Sequence, residues 1–152
     1  MPRVRAVVQR VRRAQVRVGD EIVGTIEHGL CVLLGVTGGD TDDDVALLCR
    51  KIVSLRIFDD HAGHMNRSVT DVGGAMLVVS QFTLHADCRR GRRPSFAAAA
   101  PAAQAVALYE RFLALAAAGA VPVAAGRFGA AMTVELENDG PVTIVLDTAE
   151  LR

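Results

Sequence analysis

The chain has no tryptophan, one tyrosine and five phenylalanines among 152 residues. That scarcity argues against a surface built around stacked bases, which many single-strand binders carry. Net charge is also missing, since seventeen basic and seventeen acidic residues cancel. No global positive field draws the chain to nucleic acid, and any such partner must be held by a local patch. Three cysteines, Cys31, Cys49 and Cys88, are odd in number and form no CxxC pair, which argues against a disulfide framework or a zinc site and suits a reducing compartment. Cys31 and Cys49 lie in apolar stretches as small core residues, whereas Cys88 stands beside arginines that favour a thiolate. No run of about 18 apolar residues occurs, and the N-terminal "MPRVRAVVQRVRRAQVRV" is too broken by charge for a signal-peptide core. The expectation is a soluble cytoplasmic protein with no membrane partner.

A chain of this length suits one domain over residues 1–152, large enough to bury roughly two thirds of its unfolded surface around one core. Val4, Ala6, Val8 and then Ala14, Val16, Val18 alternate with basic residues at the period of a half-buried strand, broken at Gly19-Asp20. "EIVGTI" resumes the extended pattern and "GLCVLLGV" reads as a buried central strand, so the opening third is expected to be an antiparallel meander. "TDDDVALLCRKIVSL" has Thr41 or Asp42 as N-cap and apolar residues at Val45, Leu48, Cys49, Ile52 and Val53, an amphipathic helix. Its aspartates are read as capping rather than as a metal site. "AMLVVSQF" is a second buried strand, and Pro101 to Ala118 a second helix with Val106, Tyr109 and Leu113 on one face. "AAMTVELEN" and "VTIVLDT" are two alternating strands around "NDG", the residue types that hairpins use, followed by Pro141, which cannot donate to a sheet ladder. The expected fold is α+β, with a mainly antiparallel, barrel-like sheet and two principal helices.

Several residues are candidates for chemistry. His61 and His64 in "HAGH" have neither helical zincin spacing nor a third ligand, and read as turn histidines with no metal. "SQFTLHAD" holds Ser80, Thr83, His85 and Asp87; in an extended strand the last three share a face opposite Ser80. A threonine nucleophile beside His85 competes there with the reading that the Ser80 and Thr83 hydroxyls only satisfy backbone at a strand end. Arg89, Arg90, Arg92 and Arg93 form an exposed basic run able to grip phosphates, or a solvated loop. Phe128 and Met132 in "GRFGAAM" offer a slot for an adenine ring, or core packing.

"SQFTL", "RGRRPSF", "GRFGA" and "NDGPVT", with "QRV", "LLGV" and "RIF" in order, resemble the characteristic segments of the D-aminoacyl-tRNA deacylase family, also called D-tyrosyl-tRNA deacylases, over essentially the whole chain. The resemblance implies a cofactor-free homodimer that hydrolyses the ester between a D-amino acid, or glycine, and the terminal adenosine of tRNA, with no DNA partner. It implies that Gly140 and Pro141 form a cis pair inserted into the partner's active site, where their carbonyls line the chiral pocket, with Asn138 and Thr143 in the same substrate-binding segment. Arg10, matching the arginine of "QRV", would brace that segment, unless it is an exposed arginine on an edge strand. Backbone N–H groups of Phe82 and Thr83 would form the oxyanion hole, with Ser80 and Gln81 beside the adenosine, and the arginine run would grip the acceptor end. Two other functions stay open: a general esterase using Thr83 or Ser80, and a non-catalytic RNA-binding module.

Overall fold

The structure, a computed structural model, describes residues 3–151; Met1, Pro2 and Arg152, the ends of the expected domain, lie outside the described residues. Strand β1 (Arg5–Val18) turns at Gly19, whose φ is +59°, and is followed by β2 (Glu21–Ile26) and β3 (Gly29–Gly35). Both pair antiparallel with β1, β2 along its second half and β3 along its first. The expected meander is therefore one long hairpin with a broken return arm. The break comes at Gly29, whose added Cβ would sit 1.8 Å from the Ala75 carbonyl oxygen.

Helix α1 (Asp42–Ser54) begins at a capping box: the Thr41 hydroxyl takes the Asp44 N–H, and the Asp44 carboxylate takes the Thr41 N–H. Two short strands, β4 (Phe58–Asp59) and β5 (Met65–Arg67), form a small separate hairpin. The chain then enters β6 (Ala75–Ser80), a 3₁₀ turn at Phe82–His85, and helix α2 (Ala102–Ala117). Strand β7 (Val123–Ala125) and the long β8 (Thr133–Asp147) complete the sheet.

The main sheet runs β2-β1-β3-β6-β7, with β8 on the remaining edge of β1. The β3–β6 and β6–β7 pairings are parallel, each joined by a helical crossover, so the mainly antiparallel α+β sheet carries a parallel wing. The sheet curls until β2 meets β7: an added Cβ on Gly24 would stand 2.5 Å from the Ala125 carbonyl oxygen. Strands β3 and β6 are buried on both faces, hence their continuous apolar runs. Val32 and Val78 face the two helices, while Cys31, Leu77 and Val79 face Val11, Ala14 and Val16 inside the curl. Helix α2 buries Leu108, Tyr109, Phe112 and Ala116, with Val106 and Leu113 only half-buried. Its core face is thus rotated from the expected one, because the alanines leave the apolar stripe poorly marked.

Strand β8 overturns the expectation of two strands around a turn. It stays antiparallel to β1 throughout, from Thr133 opposite Arg17 to Asp147 opposite Arg5, and bulges out between Asn138, opposite Val11, and Thr143, opposite Gln9, with a second register shift on β1 between Val11 and Arg13. Phe112 has no exposed surface and sits where α2 meets the sheet. Phe112→Ala is expected to lower unfolding stability by about 3–5 kcal/mol, read as a fall in the urea midpoint at unchanged slope.

Candidate functional site

Strand β6 ends at Ser80, and the Gln81 N–H still donates to the Leu34 carbonyl at 2.8 Å before the chain tightens into the 3₁₀ turn. Gly35, closing β3, makes room for that turn: an added Cβ would come within 2.7 Å of the Gln81 carbonyl oxygen and 3.2 Å of His85 Cδ2. The N–H groups of Phe82 and Thr83 are the first in the turn, so no preceding helical carbonyl receives them. Thr83 is exposed and its hydroxyl receives the Gln81 amide N–H.

The turn corrects the extended reading of "SQFTLHAD". His85 is 4% exposed while Thr83 lies on the surface, and Asp87 is engaged by Arg89 and by main-chain bonds with Ser95. Thr83, His85 and Asp87 therefore do not share a face, because three residues per turn replaces two.

Ser80, Gln81 and Phe82 line a cavity of about 430 Å³ together with Phe128 and Met132. Its far wall is the "GRFGAAM" segment, where Gly126 lets Met132 fold back: an added Cβ would lie 2.7 Å from Met132 Sδ, and Arg127 N–H reaches that sulfur at 3.4 Å. Phe128 lies against Tyr109 with ring centres 6.0 Å apart. The Tyr109 hydroxyl donates to the Val78 carbonyl at 2.8 Å, and burial pushes its pKa up to about 12. Sequence reasoning missed Phe96, which packs edge-to-face on Phe82 at 5.1 Å, and Gly35, whose only sign was its place at the end of an apolar run.

The bulge of β8 lies elsewhere. The Gly140–Pro141 peptide is cis, and both residues are exposed. Gly140 has φ +138°, and an added Cβ would meet Val142 N at 2.9 Å, so this position requires glycine. Arg10, opposite the bulge on β1, is 7% exposed, which removes the edge-strand reading. Its Nε donates to the Asp139 carbonyl at 2.9 Å and its Nη1 to the Ile57 carbonyl at 2.8 Å, with the Asp59 carboxylate 3.5 Å away. Asn138 closes the base of the bulge through Val142 and Thr143. Arg10 and Asp139 line a second cavity of about 360 Å³ with His28, Asp59 and Arg67. None of Arg10, Asn138, Gly140, Pro141 and Thr143 lines the first cavity.

In the arginine loop, Arg89, Arg90 and Arg93 line a hollow of about 510 Å³ with Asp87 and Ser95. Arg89 forks onto Asp87 at 2.9 and 2.8 Å, and its side chain and N–H hold that carboxyl down to about 2. Arg90, Arg92 and Arg93 are exposed. Cys31 is pushed up to about 11 by burial, as fits a packed thiol, and Cys88 is exposed. His61 and His64 are exposed in the β4–β5 hairpin loop. Among the described residues no group of three or more His, Cys, Asp or Glu could hold a metal ion, and no helix is long and apolar enough to cross a membrane.

The His85 imidazole lies behind the 3₁₀ turn with its Nε2 buried and without a hydrogen-bond partner among the described residues. Burial lowers its pKa; a hydrogen bond with the Gly35 backbone opposes this, the Arg5 guanidinium adds to it, and Asp40 and Asp147 oppose it. The unfolded chain therefore takes up this proton more readily than the folded one. Stability is fully present above about pH 6.5 and declines as pH falls from there through the depressed folded value. The urea midpoint is expected to drop between pH 7 and 5.5, and His85→Gln to flatten that interval; an equal slope in the variant would assign it to other groups.

Comparison with known proteins places these features in a lineage. The family profile described as D-Tyr-tRNA(Tyr) deacylase matches residues 7–147. A D-aminoacyl-tRNA deacylase of Chloroflexus aurantiacus is 60% identical over 149 residues, covering 98% of this chain and 93% of that protein. One from Thermus aquaticus is 56% identical over 147 residues, covering 97% of each. Among solved structures, a "c-Myc DNA Unwinding Element Binding Protein" superposes with a TM-score of 0.89 at 45% identity, covering 93% of this chain and 97% of that one. A probable eukaryotic D-amino acid tRNA deacylase, at 19% identity and a TM-score of 0.82 over 95% of this chain and 99% of that one, shares the fold.

Proposed function

This chain belongs to the D-Tyr-tRNA(Tyr) deacylase family and is a D-aminoacyl-tRNA deacylase, and from that premise we propose how it separates D from L substrates: in a homodimer, Gly140 and Pro141 of one protomer enter the partner's cavity and line its chiral pocket. The observation that carries this reading is that the pair is exposed, next to a residue fixed by its own chain's Arg10, yet absent from the lining of that chain's cavity. An L-amino acid and its mirror image carry the same groups, so discrimination needs a rigid surface near the α-carbon. Glycine has no side chain to test and passes, which makes glycyl-tRNA a second substrate.

In the reaction, water adds to the ester carbonyl carbon and gives up a proton, the carbonyl oxygen becomes an oxyanion, and as it collapses the bond to the ribose oxygen breaks and that oxygen takes up the proton, leaving a ribose hydroxyl and the free amino acid. The Phe82 and Thr83 N–H groups receive the oxyanion. Ser80 and Gln81 stand beside the ribose, and Phe128 and Met132 flank the adenine. The neighbouring ribose hydroxyl assists attack, so the protein contributes position more than a nucleophile. Arg90, Arg92 and Arg93 grip acceptor-end phosphates, with Arg89 steadied by Asp87. The activity is exercised in the cytoplasm, where charged tRNA is found.

Incubation with D- and L-tyrosyl-tRNA is expected to release only the D-amino acid. Equal loss of both, or cleavage of a simple aryl ester without RNA, would favour a general esterase, and binding without turnover an RNA-binding module. Thr83→Ala is expected to keep turnover within about threefold, whereas loss of a true nucleophile would cost on the order of a thousandfold or more.

Replacing Arg90, Arg92 and Arg93 with alanine is expected to weaken tRNA binding and reduce the slope of log K against log salt by about 2, given about 0.7 per single-strand phosphate contact. An unchanged slope would leave the run a solvated loop. Duplex DNA belongs in the same titration, because one protein of this fold is named for binding a DNA element, and no saturable DNA binding is expected.

A further inference from the structure

We propose that Asn138 is a positioning residue: its side-chain amide is a clasp that sets the path of the Gly140–Pro141 segment, acting on selectivity through the main chain rather than by touching substrate. The inference rests on the reading of that pair as the chiral selector.

The geometry is specific to the bulge. Between Asn138 and Thr143, strand β8 loses its partners on β1, with Arg10 alone opposite residues 139–142. The Val142 N–H therefore has no ladder acceptor, yet Val142 is buried. Asn138 Oδ1 accepts that N–H at 2.7 Å, and Asn138 Nδ2 donates to the Val142 carbonyl at 3.1 Å. The two bonds use the amide as if it were a peptide group of a neighbouring strand. The remaining N–H of the amide reaches the Thr143 hydroxyl at 3.2 Å.

The polar capacity of this side chain is thus spent within its own chain, leaving little to offer a substrate. Arg10 fixes the entry of the segment at the Asp139 carbonyl, and Asn138 fixes its exit at both polar atoms of Val142. Aspartate at position 138 would keep the acceptor for the Val142 N–H but set an oxygen against the Val142 carbonyl. Alanine would remove both bonds.

The test measures two things on the full-length protein. Hydrogen–deuterium exchange at the Val142 N–H reads the clasp itself, and the ratio of kcat/KM for D- over L-tyrosyl-tRNA reads its consequence. Asn138→Ala is expected to accelerate Val142 exchange and to lower the D/L ratio by at least about tenfold, with KM for the D substrate within about twofold and the thermal midpoint lowered by several degrees, because the buried Val142 N–H is left without its acceptor. Asn138→Asp is expected to retain part of the Val142 protection and to fall between the two in ratio, and it serves if the alanine variant does not fold. A raised KM with an unchanged D/L ratio would make Asn138 a substrate contact and overturn the proposal, as would unaltered Val142 exchange in the alanine variant. Pro141→Ala separates the underlying reading. If it changes the ratio and Asn138→Ala does not, the clasp role fails alone. If Pro141→Ala leaves the ratio unchanged, the selector reading fails and takes the assigned role with it.

Discussion

Strand β1 is hydrogen-bonded along both edges, to β3 and β2 on one side and to β8 on the other, and the placement of each candidate functional segment refers back to it. Its central position buries Arg10 to 7% exposure, so its charge is compensated mainly by protein groups. The compensation comes from carbonyls of two segments outside the regular ladder, at Asp139 and Ile57, with carboxylates of Asp59 and Asp139 at 3.5 and 3.8 Å. Because a guanidinium is planar with donors in a fixed fork, it sets the direction of the bulge as well as its distance. The departure of β8 from β1 is therefore a local exception with rigid ends: the ladder resumes at Thr143 and continues to Asp147, where Arg3 and Arg5 meet the same carboxylate.

The cavity is built on a similar economy of side chains. At one wall Gly35 admits the 3₁₀ turn, and at the other Gly126 admits the Met132 sulfur; both contacts are closer than any Cβ allows. Behind the turn, Arg5 spans from the Asp147 carboxylate to the Leu84 carbonyl, tying the turn to the last residue of β8. The cavity rim and the end of the long strand are thus joined through one arginine on β1, and His85 is enclosed among these charges.

Periodicity read well where each residue had one clear environment. An N-cap at Thr41, one of two candidates there, the buried runs of β3 and β6, and the presence of two helices followed from local chemistry. It read poorly where tertiary contact overrode local preference. "NDG" has the composition of a hairpin turn, yet the strand on either side remains paired to β1, and the partner that holds it there lies more than a hundred residues away. "FTLH" continues an apolar strand by composition, but Gly35 leaves space for a tighter turn, and the change of period separates Thr83 from His85. Arg10 is assigned to brace the proline segment by the motif resemblance and not by periodicity, because the main-chain carbonyls it meets at Ile57 and Asp139 leave no mark in the sequence. Quoted segments name Ser80, Gln81, Phe82, Phe128 and Met132, which line one cavity, and it is the resemblance, not periodicity, that implies a proline segment serving a site other than its own chain's.

That separation bears on how chirality can be read. Exchange of the hydrogen and side chain at an α-carbon moves atoms by little more than a bond length, so a selecting surface must yield by less than that. A side chain on the surface has rotamers through which to yield, whereas main chain fixed at both ends has few. On the proposed reading, the bonds from Arg10 to the Asp139 carbonyl and from Asn138 to Val142 and Thr143 end on atoms flanking Gly140 and Pro141, which stiffens the peptide planes while leaving no side chain to rearrange. If a second protomer supplies that segment, as proposed, assembly becomes a condition of selectivity: the cavity would hold the groups suited to the ester, and the neighbouring copy would supply the shape that decides which ester reaches them.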